Sequence, residues 1–86
     1  NMLKEIIETY QDEELLLADG FDEAIIGIAT DFTTPRIIYS VTKCIEILMK
    51  DDEMNYEDAM EYFTYTVSGG WVGEKTPIWC WDDYGV

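Results

Sequence analysis

The stretch Ala24-Ile25-Ile26-Gly27-Ile28-Ala29 is almost wholly apolar and rich in β-branched residues, which is typical of a buried β-strand. Arg36-Ile37-Ile38-Tyr39-Ser40 repeats the pattern after Pro35, and residues 15–18 form a shorter apolar run before it. We therefore predict three strands in an antiparallel meander, with the strand at 24–29 in its centre. Gly27 indicates a β-bulge or a close approach of another backbone segment, because a glycine inside a strand often marks one or the other.

Three other segments carry apolar residues at the spacing of amphipathic α-helices. Their apolar positions are Leu3, Ile6, Ile7 and Tyr10 in the first, Val41, Cys44, Ile45 and Leu48 (widened by Ile47 and Met49) in the second, and Tyr56, Ala59, Met60, Phe63 and Val67 in the third. Ser40 or Thr42 can cap the second helix. Asn55, followed three positions later by Asp58, resembles a capping box that starts the third helix, and Gly69 is suited to end it.

The sequence of residues 76–81 predicts a last strand. Because Pro77 cannot donate to a ladder, it indicates either an edge strand or the start of a strand. Alternation along this strand puts Ile78 and Cys80 on one face and Trp79 and Trp81 on the other. Two interpretations stay open. If Ile78 and Cys80 face the core, the tryptophans project as an apolar patch for a partner or a second subunit. In the reverse orientation the tryptophans complete the core.

These elements together predict an α+β fold, with a small antiparallel sheet of three to four strands packed against about three helices, in the order α-β-β-β-α-α-β. Residues 1–86 are expected to form a single domain, because a chain of 86 residues is too short to divide into two cores. Asn1 precedes a methionine and is interpreted as an addition to the natural chain.

The chain is strongly acidic, because it contains 19 Asp and Glu and only 5 Lys and Arg, which gives a formal net charge of -14. Repulsion from phosphate groups argues against direct binding of nucleic acid or of an anionic membrane surface. Two interpretations of the acidity stay open: solubility alone, or a surface that imitates nucleic acid or recognises a basic protein. The acidic face predicted from the first and third helices consists of Glu5, Glu8, Asp12, Glu57, Asp58 and Glu61.

No catalytic constellation or metal signature stands out in the sequence. The chain has no histidine, and Cys44 and Cys80 are too few for a disulfide scaffold or a zinc site, so each is expected to be a reduced core residue. Residues 73–76 lack the glycine spacing of a phosphate-binding loop, and the acidic residues within 19–23 lack the spacing of an EF-hand. We therefore expect no catalytic residues, no metal and no cofactor in a protein that is not an enzyme.

Four segments carry a resemblance to a known family: residues 19–27 (DGFDEAIIG), 39–49, 56–62 (YEDAMEY) and 70–78 (GWVGEKTPI). Together they resemble a family of small tailed-bacteriophage proteins of unassigned activity, notably from marine and cyanobacterial phages, over roughly residues 15–79. The Gly-Glu-Lys-Thr-Pro element is the most specific part. The resemblance implies a phage source, and it implies neither an activity nor any site residue.

The function that we predict is that of a non-enzymatic, acidic phage accessory protein. It binds and modulates a host or phage protein with a basic surface, for which a nucleic-acid-binding groove is one candidate. The predicted binding residues are Trp71, Glu74, Lys75, Thr76, Trp79 and Trp81, with the tryptophans as anchors. The sequence shows no basic segment ahead of an apolar one and no apolar run of about 20 residues, so we expect a soluble protein of the host cytoplasm, without a signal peptide.

Two alternatives come from other functional classes. One is a small-ligand sponge, in which the 69–77 loop, Lys75, Arg36 and the tryptophans close over a nucleotide-like molecule. The other is a structural homo-oligomer, such as a homodimer, that buries the tryptophan patch by symmetry.

Overall fold

A computed structural model describes residues 2–30, 34–70 and 73–82 of the chain, so Asn1 lies outside the described residues. Its elements in chain order are helix α1 (Met2–Thr9), a 3-10 turn (Asp22–Ala24), strand β1 (Ile25–Ala29), strand β2 (Arg36–Ser40), helix α2 (Val41–Asp51), helix α3 (Tyr56–Tyr62), a π-helical turn (Phe63–Val67) and strand β3 (Ile78–Cys80). The predicted α+β class is confirmed.

The sheet is mixed, with the strand order β1-β2-β3. Strand β1 pairs antiparallel with β2, and the predicted bulge lies between Ile25 and Gly27. Strand β2 pairs parallel with β3, so the expectation of a wholly antiparallel sheet, with β1 at its centre, is corrected. The connection permits the parallel pair, because residues 41–77, which include α2 and α3, form a crossover long enough to carry the chain back to the starting end of the sheet before β3 begins.

Residues 15–18 were expected to form the first strand and form none, so the order of elements is α-β-β-α-α-β. The backbone N–H of Ala18 donates instead to the hydroxyl of Tyr39 at 2.7 Å, which ties the segment to β2 through a side chain. Leu15 and Ala18 pack on the core, whereas Leu16 and Leu17 stay exposed. Leucine supplies hydrophobicity without the β-branched preference for a pleated backbone, which explains the wrong prediction.

Side chains cap α2 and α3 at the predicted positions. The Ser40 hydroxyl accepts a hydrogen bond from the N–H of Lys43 at 3.1 Å, and the Asn55 side chain accepts one from the N–H of Asp58 at 2.8 Å. Helix α2 packs on β2, on the 3-10 turn and on α3. The largest fully buried side chains are Tyr39, Phe63, Ile37, Cys44 and Ser40.

Candidate functional site

The turn before β3 is fixed by hydrogen bonds around Thr76, which is buried. The Thr76 hydroxyl and backbone N–H both donate to the carbonyl oxygen of Gly73, at 2.6 and 3.1 Å. The Nε of Arg36 donates to the carbonyl oxygen of Thr76 at 2.6 Å. Gly73 has φ of 108°, a conformation that glycine adopts without strain. Thr76, a predicted binding residue, is therefore part of the structural frame of this turn.

The other two predicted polar residues of the turn reach the surface. Glu74 is exposed, and the ammonium group of Lys75 lies 3.7 Å from a carboxylate oxygen of Glu14. The Glu14 side chain is 97% exposed, so solvent screens this pair and it contributes little to stability. Lys75 and Arg36, the two cations required by the ligand-sponge hypothesis, thus both have partners within the protein.

The orientation of β3, left open by the sequence, is settled by ring contacts. Trp79 stacks on Tyr39 with ring centroids 5.1 Å apart and meets Phe63 edge-on at 5.3 Å. Trp79 therefore lies on the core face of the sheet, and Ile78 and Cys80 lie half-buried on the opposite face.

Trp81 lies just after β3, with its ring edge-on to Phe63 at 5.9 Å. It is 39% exposed, so part of its ring reaches solvent. The third predicted anchor, Trp71, lies outside the described residues. The tryptophans that the structure describes thus serve first as packing residues around Phe63.

Asp82 closes the N-terminus of α2. One of its carboxylate oxygens accepts a hydrogen bond from the Ser40 hydroxyl at 2.5 Å, and the other accepts one from the Thr42 N–H at 3.1 Å. The Ser40 hydrogen bond is the main reason why the pKa of Asp82 is lowered. Asp82 thereby satisfies one orphan N–H of the helix end, that of Thr42, and binds the Ser40 hydroxyl that caps Lys43. No sequence pattern indicates this pairing.

Cys44 is fully buried and free of any disulfide, as expected from the sequence. Burial raises the pKa of its thiol to about 12, with the negative charge of Asp82 adding to the effect. The thiol is therefore protonated at neutral pH, and the thiolate required for nucleophilic attack is scarce.

The carboxylates predicted to form the acidic face are all exposed: Glu5, Glu8, Asp12, Glu57, Asp58 and Glu61. They belong to two elements with different neighbours, since α1 packs mainly on β1 and α3 mainly on α2. We therefore treat them as two acidic groups, one around α1 and one on α3.

A groove between α2 and α3, called here the helical groove, was not anticipated as a site. It is lined by Val41, Thr42, Ile45, Glu46 and Met49 of α2 and by Tyr56 and Met60 of α3, and it encloses about 200 Å³. Met49 is 40% exposed and Tyr56 is 55% exposed, although both were assigned to the apolar faces of their helices. The apolar stripes are wider than the surface that the two short helices bury against each other, so their outer edges stay open to solvent.

Charges around the helical groove are negative. Glu46 belongs to its lining, and Glu57, which follows Tyr56 in α3, is exposed. Glu46 also lines a neighbouring cleft, together with Lys43 and Lys50 of α2 and with Glu23 and Asp51. Among the described residues, no lysine or arginine lines the helical groove.

A second apolar groove, called here the leucine groove, lies beside the turn before β3. It encloses about 330 Å³ and is lined by Leu16, Leu17, Ala18, Thr66, Val67, Gly70, Pro77 and Trp79. Its lining within the described part of the chain contains no charged residue, so a charged ligand finds no partner there.

No group of three or more His, Cys, Asp or Glu side chains within residues 2–30, 34–70 and 73–82 could hold a metal ion. None of the helices in these ranges is long and apolar enough to cross a membrane. No family model matches the chain, and no curated protein and no solved structure matches it.

Proposed function

We propose that this protein is a non-enzymatic accessory protein of a tailed bacteriophage, which binds a basic host or phage protein in the host cytoplasm and alters its activity. The helical groove is the observation that carries the proposal. Its exposed Met49 and Tyr56 side chains form an apolar floor, and Glu46 lies within the lining. An apolar surface bordered by carboxylates suits a partner that presents apolar and basic side chains together.

The overall charge extends this attraction beyond the groove. A net charge of -14 on 86 residues produces a negative field that speeds encounter with a basic surface. In this proposal the carboxylates of α1 steer the approach, and those of α3 lie beside the contact itself. A nucleic-acid-binding face is the kind of basic surface that we favour, because exposed carboxylates can occupy the positions of phosphates against lysine and arginine side chains.

Groove size and the placement of cations favour a protein partner over a nucleotide-like ligand. The helical groove encloses about 200 Å³, below the roughly 300 to 1,000 Å³ typical of small-molecule sites. The leucine groove, at about 330 Å³, has no cation in its described lining. Arg36 donates to the Thr76 carbonyl and Lys75 faces Glu14. The helical groove has room for one anchoring side chain of a partner, and protein interfaces commonly bury such an anchor at their centre.

The proposal is tested by affinity capture from a bacterial lysate with two matched double variants. Met49→Gln with Tyr56→Gln removes the apolar floor without changing the charge, and both side chains are exposed, so folding should be preserved. Ile7→Gln with Tyr65→Gln changes two residues of similar type that are 48% and 81% exposed and lie outside the groove lining. Proteins held by the wild type should be basic and should be released between about 50 and 500 mM salt.

The groove variant should lose these proteins, whereas the control variant should keep them. Recovery of no protein at low salt, or equal recovery by the two variants, would count against the proposal.

A further inference from the structure

The walls of the helical groove restrict the backbone that a partner can place there. Both walls are α-helices, in which backbone N–H and C=O groups bond within each helix. The groove therefore offers side-chain contacts and no free ladder edge. A partner strand would leave its backbone groups unpaired against these walls, whereas a helix satisfies its own.

The side chains of the groove are spaced to receive a helix. Ile45 and Met49 on α2, and Tyr56 and Met60 on α3, are each separated by four residues, so each pair forms a ridge along one face of its helix. A third helix can place its own apolar ridge in the space between these two. The two methionines add tolerance, because their flexible thioether chains adapt to different partner side chains.

Electrostatics decide which helix fits. Glu46 is the charged side chain in the described lining of the groove, and this lining holds no lysine or arginine, so a helix lying in the groove meets a carboxylate on the α2 side. A partner with acidic flanks is repelled, and one with neutral flanks gains no charge complementarity.

We infer that the helical groove binds one amphipathic α-helix of the partner, with apolar residues at helical spacing toward the groove and Lys or Arg on the flank that faces Glu46. This inference rests on the proposed function and specifies the partner's chemistry. A second copy of this chain is a poor occupant, because its helices α1 and α3 carry exposed carboxylates on their outer faces.

The test uses the full chain and two synthetic peptides of about 16 residues, long enough for roughly four helical turns. In the first, leucines recur at i, i+3, i+4 and i+7 among lysines. The second has the same composition with the leucines distributed around the helix. Binding is followed by fluorescence anisotropy, and the peptide conformation by circular dichroism.

The amphipathic peptide should become helical on binding and should bind at least about tenfold more tightly than its isomer. Met49→Gln with Tyr56→Gln should remove most of that difference, whereas Ile7→Gln with Tyr65→Gln should preserve it. Far-ultraviolet circular dichroism of both variants verifies that they fold. Glu46→Gln with Glu57→Gln should weaken binding and reduce its salt dependence.

Equal affinity for the two peptides, or equal affinity of the two double variants, would overturn the inference about the helix and leave the capture of basic proteins from lysate as separate support for the proposed function. Absence of binding to both the peptides and the lysate proteins at low salt would overturn the two together.

Discussion

The Nε of Arg36 donates a hydrogen bond to the carbonyl oxygen of Thr76 at 2.6 Å. This contact joins the first residue of the central strand to the turn that precedes β3, across 40 positions of sequence. It places the Thr76 carbonyl in the structural frame of the turn, whereas Glu74 and Lys75 reach the surface. The C-terminal strand is thereby tied to β2 both by its ladder and by one side chain.

Replacing Arg36 should therefore destabilise the fold. Arg36→Met removes the donor and should lower the free energy of unfolding by about 1.5 to 3 kcal/mol, the usual range for a hydrogen bond to a charged group. Arg36→Lys should recover only part of this, because an ammonium group lacks the planar donor geometry of a guanidinium. Urea titration measures both changes. If the free energy of unfolding of Arg36→Met lies within about 0.5 kcal/mol of the wild-type value, the hydrogen bond to Thr76 is dispensable for stability.

The two described tryptophans should differ in their contribution to stability. Trp79→Ala removes a ring packed between Tyr39 and Phe63 and should cost about 3 to 5 kcal/mol. Trp81→Ala removes a ring that is 39% exposed and should cost clearly less. Thermal or urea unfolding provides the comparison. A larger decrease in the free energy of unfolding for Trp81→Ala than for Trp79→Ala would contradict the assignment of Trp79 to the core face.

Asp82 should make stability depend on pH in the acidic range. Its pKa is lowered in the folded protein, chiefly by the Ser40 hydrogen bond, so its contribution is present above the unfolded pKa and is lost as the pH falls through the folded pKa. Asp82→Asn should be less stable than the wild type at pH 7. The difference should begin to shrink as the pH falls below about 4, the ordinary pKa of an aspartate in the unfolded chain, and should be lost below the lowered pKa of Asp82 in the folded protein. Parallel stability curves for the two proteins would exclude this role.

Cys44 should be unreactive in the folded protein. Its thiol is fully buried and its pKa is raised to about 12, so very little thiolate is present at pH 8. In a Cys80→Ser variant, a disulfide reagent should label no thiol under native conditions and one thiol after unfolding in urea. Rapid labelling of the native variant would mean that the core around α2 opens readily.

The fold class could be predicted because residue composition and apolar periodicity indicate the same secondary structure in β2, α2 and α3. Strand β2 and the caps of α2 and α3 follow local rules, namely β-branched alternation and side chains that accept from the first turn. The prediction of a strand at 15–18 is wrong because leucine adds hydrophobicity without a strand preference, and because the Ala18 N–H bonds to the side chain of Tyr39, 21 residues away, and not to a neighbouring strand. The parallel pairing of β3 depends on the path of the connection, which strand composition does not determine.

The candidate site was harder to predict for a similar reason. Tyr56 and Met60 were placed on the apolar face of α3, and Met49 was placed on that of α2. The sequence pattern gives the width of each apolar face but not the share of it that the other helix covers. The sequence predicts a binding site at the tryptophans because aromatic residues serve both as interface anchors and as core residues, and sequence alone does not distinguish the two roles. Ring contacts with Tyr39 and Phe63 decide that question for Trp79.

The most direct test of the account is to map the binding of the basic amphipathic peptide by NMR on the full chain, with labelled methyl groups. We expect the largest chemical-shift changes at Ile45, Met49 and Met60 in the helical groove, with small changes at Leu16 and Leu17. Changes concentrated at Leu16 and Leu17, or spread evenly over the exposed methyl groups, would contradict the assignment of the helical groove as the binding site.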